Sequence, residues 1–139
     1  MKKGKKLPII AVLILILIAG VLWYFLQSDK PFDTMSANEI AQVTVYAIPP
    51  DEEATLTEAE IASFIPLLQN LKVANPKAST AGLGGQTVKF TVLKTDGSTI
   101  EISNIGNVKI IIDGKNYKAD YESAEALNNF ANKVLETGF

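Results

Sequence analysis

The chain has 139 residues, 13 lysines and no arginine, 15 acidic residues, no histidine and no cysteine, for a formal net charge of −2. The missing histidine removes imidazole bases, Ser-His-Asp and Cys-His constellations and nearly all zinc chemistry, and the missing cysteine removes thiol nucleophiles, iron–sulfur ligation and disulfides. The missing arginine removes the bidentate clamp for phosphate and carboxylate.

The N-terminus carries Lys2, Lys3, Lys5 and Lys6, a basic tail over residues 1–6. Ile9 to Leu26 follows without a charge or a side-chain amide. At about 1.5 Å per residue, 7–26 spans roughly 30 Å, the thickness of a bilayer's hydrocarbon core. This predicts one transmembrane helix, a signal anchor, with Pro8 at its start and Trp23 and Tyr24 at headgroup level. The preceding lysines predict a single-pass protein of the cell membrane, its N-terminus cytoplasmic and its C-terminal domain extracellular. A cleaved signal peptide has an apolar core of about 7–15 residues and a small-x-small site. Here the core is longer, and the nearest small pair, Ser36-Ala37, lies well beyond it. A lipoprotein needs a cysteine, and a pilin-type leader needs a glutamate where Ile9 stands.

Residues 27–37 read as a short polar linker, and 38–139 as one α+β domain. From Pro31 to Phe139 there are eight lysines and 14 acidic residues, a balance of −6. Such a domain has no electrostatic footprint for nucleic acid and is repelled by anionic headgroups or wall polymers.

Glu39 to Ala47 alternates, with Ala41, Val43, Val45 and Ala47 on one face, which predicts a strand. Pro49-Pro50 ends it, and Asp51-Glu52-Glu53 reads as an acidic loop tip. Thr57 with Glu60 forms a capping box, followed by Ile61, Phe64, Ile65, Leu68 and Leu71 at helical spacing, a helix over 58–71 bent at Pro66. Residues 75–86, rich in Gly, Ala and Ser, predict a loose loop. Four antiparallel strands follow over 87–119: Thr87 to Lys94, Thr99 to Ser103, Val108 to Ile112 and Lys115 to Ala119. Asp96-Gly97 and Asp113-Gly114 serve as hairpin turns. Asp120 caps a last helix over 121–136, whose stripe is Leu127, Phe130, Ala131, Val134 and Leu135.

The order β-α-β-β-β-β-α, preceded by the transmembrane helix, predicts an antiparallel sheet of about five strands with two helices packed on one face. The other face is left toward water, carrying Thr87, Lys89, Thr91, Thr99, Glu101 and Ser103. No motif carries chemistry. Gly82-Leu83-Gly84-Gly85 lacks the Lys-Ser/Thr of a phosphate loop. Asp51-Glu52-Glu53 lacks the spacing of a calcium loop. Glu58, Glu60, Glu122 and Glu125 sit in first helical turns, where they support the helix dipole. Tyr46, Tyr117 and Tyr121 would form an aromatic patch if the first and last strands approached; ordinary packing is the simpler reading. No catalytic residue, metal ligand or cofactor site is expected.

The MKKGKK start with its apolar run, the segment TLTEAEIASFIPLLQNLKV and the ending VKIIIDGKNYKADYESAEALNNFANKVLE carry a resemblance over nearly the whole chain. The chain resembles the small membrane-anchored extracytoplasmic domains of unknown function of Gram-positive Firmicutes. The resemblance implies the anchored placement and the α+β domain, and assigns no residue a role.

The expected function is a membrane-tethered interaction module without catalytic activity. Its partners are the lipid bilayer through Ile9 to Leu26 and, on the domain side, another cell-envelope protein or a wall component; nucleic acid is not among them. The candidate surface is Tyr46, Leu83, Thr87, Lys89, Thr91, Thr99, Glu101 and Tyr117. Two alternatives are a sensor of a small extracellular ligand, which needs an apolar pocket of about 300 Å³ or more, and an envelope hydrolase. The hydrolase needs two converging carboxylates about 5–10 Å apart.

Overall fold

The computed structural model describes residues 3–26, 29–75 and 85–137, and within the first helix the side-chain surroundings of 8–22. That helix, α1, runs Lys3–Leu26. Its large apolar side chains from Ile9 to Leu22 are all exposed, Leu17 at 67%. Among the described residues no helix is long and apolar enough to cross a membrane. This overturns the expected transmembrane helix over 7–26, and with it the signal anchor and the single-pass placement at the cell membrane with an extracellular domain.

The sheet is antiparallel and α+β in class, as expected, but it has seven strands rather than about five. They are β1 (Ile40–Ile48), β2 (Glu52–Thr55), β3 (Val73–Ala74), β4 (Thr87–Lys94), β5 (Thr99–Ile105), β6 (Lys109–Ile112) and β7 (Lys115–Ala119), ordered β2-β1-β4-β5-β6-β7-β3. The two additional strands are the short ones at the edges. β2 is the supposed acidic loop: the chain turns at Pro49-Pro50-Asp51, with Asp51 at φ 68°, and pairs Glu53 with Tyr46. β3 pairs Val73 with Ala119 on β7, and Asp29 bridges its other side.

The central meander follows from alternation and turns. Ile112 pairs with Lys115 across Asp113-Gly114, both at positive φ, the type I′ hairpin that Asp-Gly favours. The other Asp-Gly differs. Only Gly97 has positive φ, Gly97 N–H donates to Lys94 O, and Lys94 N–H to Ser98 O, a three-residue loop closed by a glycine bulge. In β1 the alternation slips once. A register shift between Ile40 and Gln42 buries Ile40 and exposes Ala41, the reverse of the expected face there.

α2 (Glu58–Gln69) starts at the expected box: Glu60 N–H donates to Thr57 Oγ1 (3.2 Å) and Thr57 N–H to Glu60 Oε1 (2.9 Å). It continues through Pro66 for three residues only and closes with Asn70 N–H on Pro66 O. α3 (Tyr121–Thr137) begins under Asp120, whose Oδ2 accepts from Ser123 N–H. Both helices cover one sheet face. Phe64 of α2 stacks on Phe90 of β4 at 4.8 Å and on Phe130 of α3 at 5.7 Å, and around these three rings lie Val43, Val45, Val88, Leu68 and Leu127. Phe32 and Met35, in the stretch read as a polar linker, also lie in this core.

Candidate functional site

The outer sheet face is built by the same alternation that fills the core. On β4, Val88, Phe90 and Val92 are buried, so Thr87, Lys89 and Thr91 point the other way. Register then sets their neighbours. Lys89 lies opposite Tyr46 on β1 and Ser103 on β5; Thr91 lies opposite Thr44 and Glu101; Thr87 lies opposite Ile48 and Ile105; Thr99 faces Leu93. Lys89 Nζ reaches Glu101 Oε1 at 3.3 Å across the diagonal. Asp113 holds the Glu101 backbone in place, accepting its N–H through Oδ1 (2.9 Å) and donating its own N–H to Glu101 O (2.9 Å).

Six of the eight candidate residues therefore share one face: Tyr46, Thr87, Lys89, Thr91, Thr99 and Glu101. Tyr117 does not. It pairs with Ile110 and packs against the helix-side core, with Lys115 Nζ 5.5 Å from its ring centre. Leu83 lies outside the described residues. Tyr46 and Tyr117 thus occupy opposite faces, with β4, β5 and β6 between their strands, and Tyr121 is exposed at the start of α3. The aromatic patch that sequence allows is not formed.

At the β2 margin, Tyr46 Oη donates to Asp51. That hydrogen bond, partial desolvation and the charges of Asp51 and Glu53 raise the phenol above its ordinary value of 10.0. At the opposite margin Lys109 lies directly across from Lys118. Neither was singled out from sequence, although the two-residue Asp113-Gly114 turn gives the signal: counting outward from it brings Lys109 opposite Lys118.

On the helix side, a groove of about 270 Å³ lies between α2 and α3, lined by Ala59, Glu60, Ser63, Phe130, Lys133 and Val134. Its carboxylate is already engaged, since Glu60 accepts the Thr57 N–H of the cap. Among the described residues the only buried polar side chain is Asn104, so no described carboxylate is buried. The described residues also include no group of His, Cys, Asp or Glu suited to hold a metal ion. No family model, curated protein or solved structure matches the chain.

Proposed function

We propose that the chain is a binding module that works through the outer face of its sheet, without catalysis. One observation carries this reading: Tyr46, Thr87, Lys89, Thr91, Thr99 and Glu101 are held side by side on one face of the sheet, with α2 and α3 packed on the other. Hydroxyls, one phenol and one compensated ion pair make a surface suited to a protein partner, and the chain has no histidine or cysteine to offer a reaction. The test is affinity capture with the full chain and a Thr44→Arg/Thr91→Arg variant matched in circular dichroism and melting. The unaltered chain recovers a reproducible partner and the variant loses it. Capture of that partner by both, or of none in repeated trials, overturns the reading.

α1 favours a second contact. Its described side chains are exposed around the helix, and a helix apolar all round requires apolar cover. We propose contact of Ile9 to Leu26 with lipid acyl chains, with no span attached. Flotation of the full chain with phosphatidylcholine vesicles tests it, and failure to float defeats it.

A further inference from the structure

The two ends of the sheet carry opposite charge, and on the outer face neither charge is answered within the sheet. At the β6–β7 end Lys109 and Lys118 are direct cross-strand neighbours. Buried Ile110 and inward-packed Tyr117 place both lysines on the outer face. Like charges directly opposite destabilise a strand pair. Among the described residues neither lysine lies in an ion pair, whereas Lys89 in the same sheet does. At the β2–β1 end Glu53 lies opposite Tyr46 and Asp51 accepts from the Tyr46 hydroxyl, both acids exposed; Glu52, opposite buried Ala47, lies on the helix side. These clusters stand at opposite sides of a seven-stranded sheet, too far apart to meet within one chain.

We propose that the Lys109–Lys118 stripe of one copy docks on the Asp51–Glu53 margin of a second copy, a head-to-tail contact of this chain with itself. Charge complementarity identifies the occupant: each end lacks what the other presents. The contact runs through side chains rather than an extended ladder. β2 is short and charged, which blunts strand addition, and the far side of β3 is bridged by Asp29. A contact between two different patches does not close on itself, so it propagates into rings or filaments. This inference concerns the sheet's ends and meets the proposed binding face only at Tyr46.

Zero-length carbodiimide coupling joins a lysine amine to a carboxylate only in direct contact. An equal mixture of ¹⁴N- and ¹⁵N-labelled full chains, held in a mild non-ionic detergent that covers α1, is coupled and digested. Mixed-isotope peptides joining Lys109 or Lys118 to Asp51 or Glu53 are expected. Their yield falls at least about tenfold in roughly 0.5 M salt, where screening acts within a few ångströms. It falls similarly in a Lys109→Glu/Lys118→Glu variant, and returns when Glu53→Lys is added to that variant. None of the three positions is buried, and the restored contact itself reports a folded chain. Absence of mixed-isotope coupling, coupling through other residues, or coupling that survives the double reversal overturns the proposal. The Lys109→Glu/Lys118→Glu variant still recovers the partner of the binding reading, since neither lysine belongs to that surface, which separates the two.

Discussion

β4 and β5 show what one strand pair does on its two sides. Toward the helices, Val88, Phe90 and Val92 on β4 and Ile102 on β5 are fully or almost fully buried. Toward solvent, the intervening Lys89, Thr91, Glu101 and Ser103 are half-buried or exposed. Backbone hydrogen bonding is common to both faces, so the difference isolates side chains: one face stabilises, the other is free to recognise. The sharpest way to break this contrast is Phe90→Ala. It removes the ring that stacks on Phe64 and leaves a cavity beside Phe130, at a cost of about 3–5 kcal/mol. Thr91→Ala next to it stays within about 0.5 kcal/mol. Urea unfolding of the two full-length variants measures both; equal losses end the division of labour.

Asn104 sharpens the contrast because it breaks the rule from the inside. It occupies an inward position opposite Val88 and Ile110 and is 2% exposed. Its amide is fully employed: Nδ2 donates to Ala124 O on α3 (2.8 Å) and to Asn107 Oδ1 (3.0 Å), and Oδ1 accepts from Asn107 N–H (3.1 Å). The side chain thus pins α3 to the turn at Gly106-Asn107, where both residues take positive φ. Asn104→Ala orphans three polar groups and costs about 1–3 kcal/mol. Hydrogen exchange should show that loss concentrated at Asn107 and its neighbours. Uniform loosening of the sheet would assign Asn104 to ordinary packing instead.

What sequence could show tracks what is local. The Thr57–Glu60 box, the Asp113-Gly114 hairpin and the alternation of Thr87 to Lys94 each depend on residues within a few positions, and all are found where periodicity and turn chemistry place them. The outer-face set from Tyr46 to Glu101 follows from that alternation. The edge strands were not legible. Glu52–Thr55 and Val73–Ala74 have too little apolar alternation to signal a strand and exist because β1 and β7 offer them hydrogen bonds. The bulge at Ala41 hides for the same reason, since register belongs to a pair of strands. Phe32 and Met35 were passed over because neither has a periodic neighbour. Helicity over 7–26 was legible; the expected span was not found, since among the described residues no helix is long and apolar enough to cross a membrane.

On the outer face the contrast predicts a small effect where contacts look prominent. Lys89 and Glu101 make an ion pair at 3.3 Å, yet their side chains are 41% and 53% exposed. Solvent screening at that exposure leaves at most a fraction of a kcal/mol. Lys89→Ala should shift the urea midpoint far less than Phe90→Ala, and about 0.5 M salt should erase the difference from the unaltered chain. A loss above about 1 kcal/mol would mean this face contributes to stability as the core does.

The smallest expected effect sits at the tip joining β4 to β5, beyond both faces. Asp96 Oδ1 accepts from Ser98 Oγ (2.5 Å) and from Ser98 N–H (2.8 Å). Those bonds, the side-chain one first, hold its carboxyl below the ordinary value of 3.8. An unfolded carboxyl titrates near 3.8 and the folded one lower, so the stabilisation is whole above 3.8 and drains away as pH falls through the folded value. Asp96→Asn keeps an acceptor and loses the charge. The melting difference between the unaltered chain and this variant should be slight at about pH 6 and shrink toward zero near pH 2. A gap that is constant across that range would show that the turn draws on Asp96 for its shape alone. The charge that the loop visibly solvates through Ser98 would then leave the fold's stability untouched.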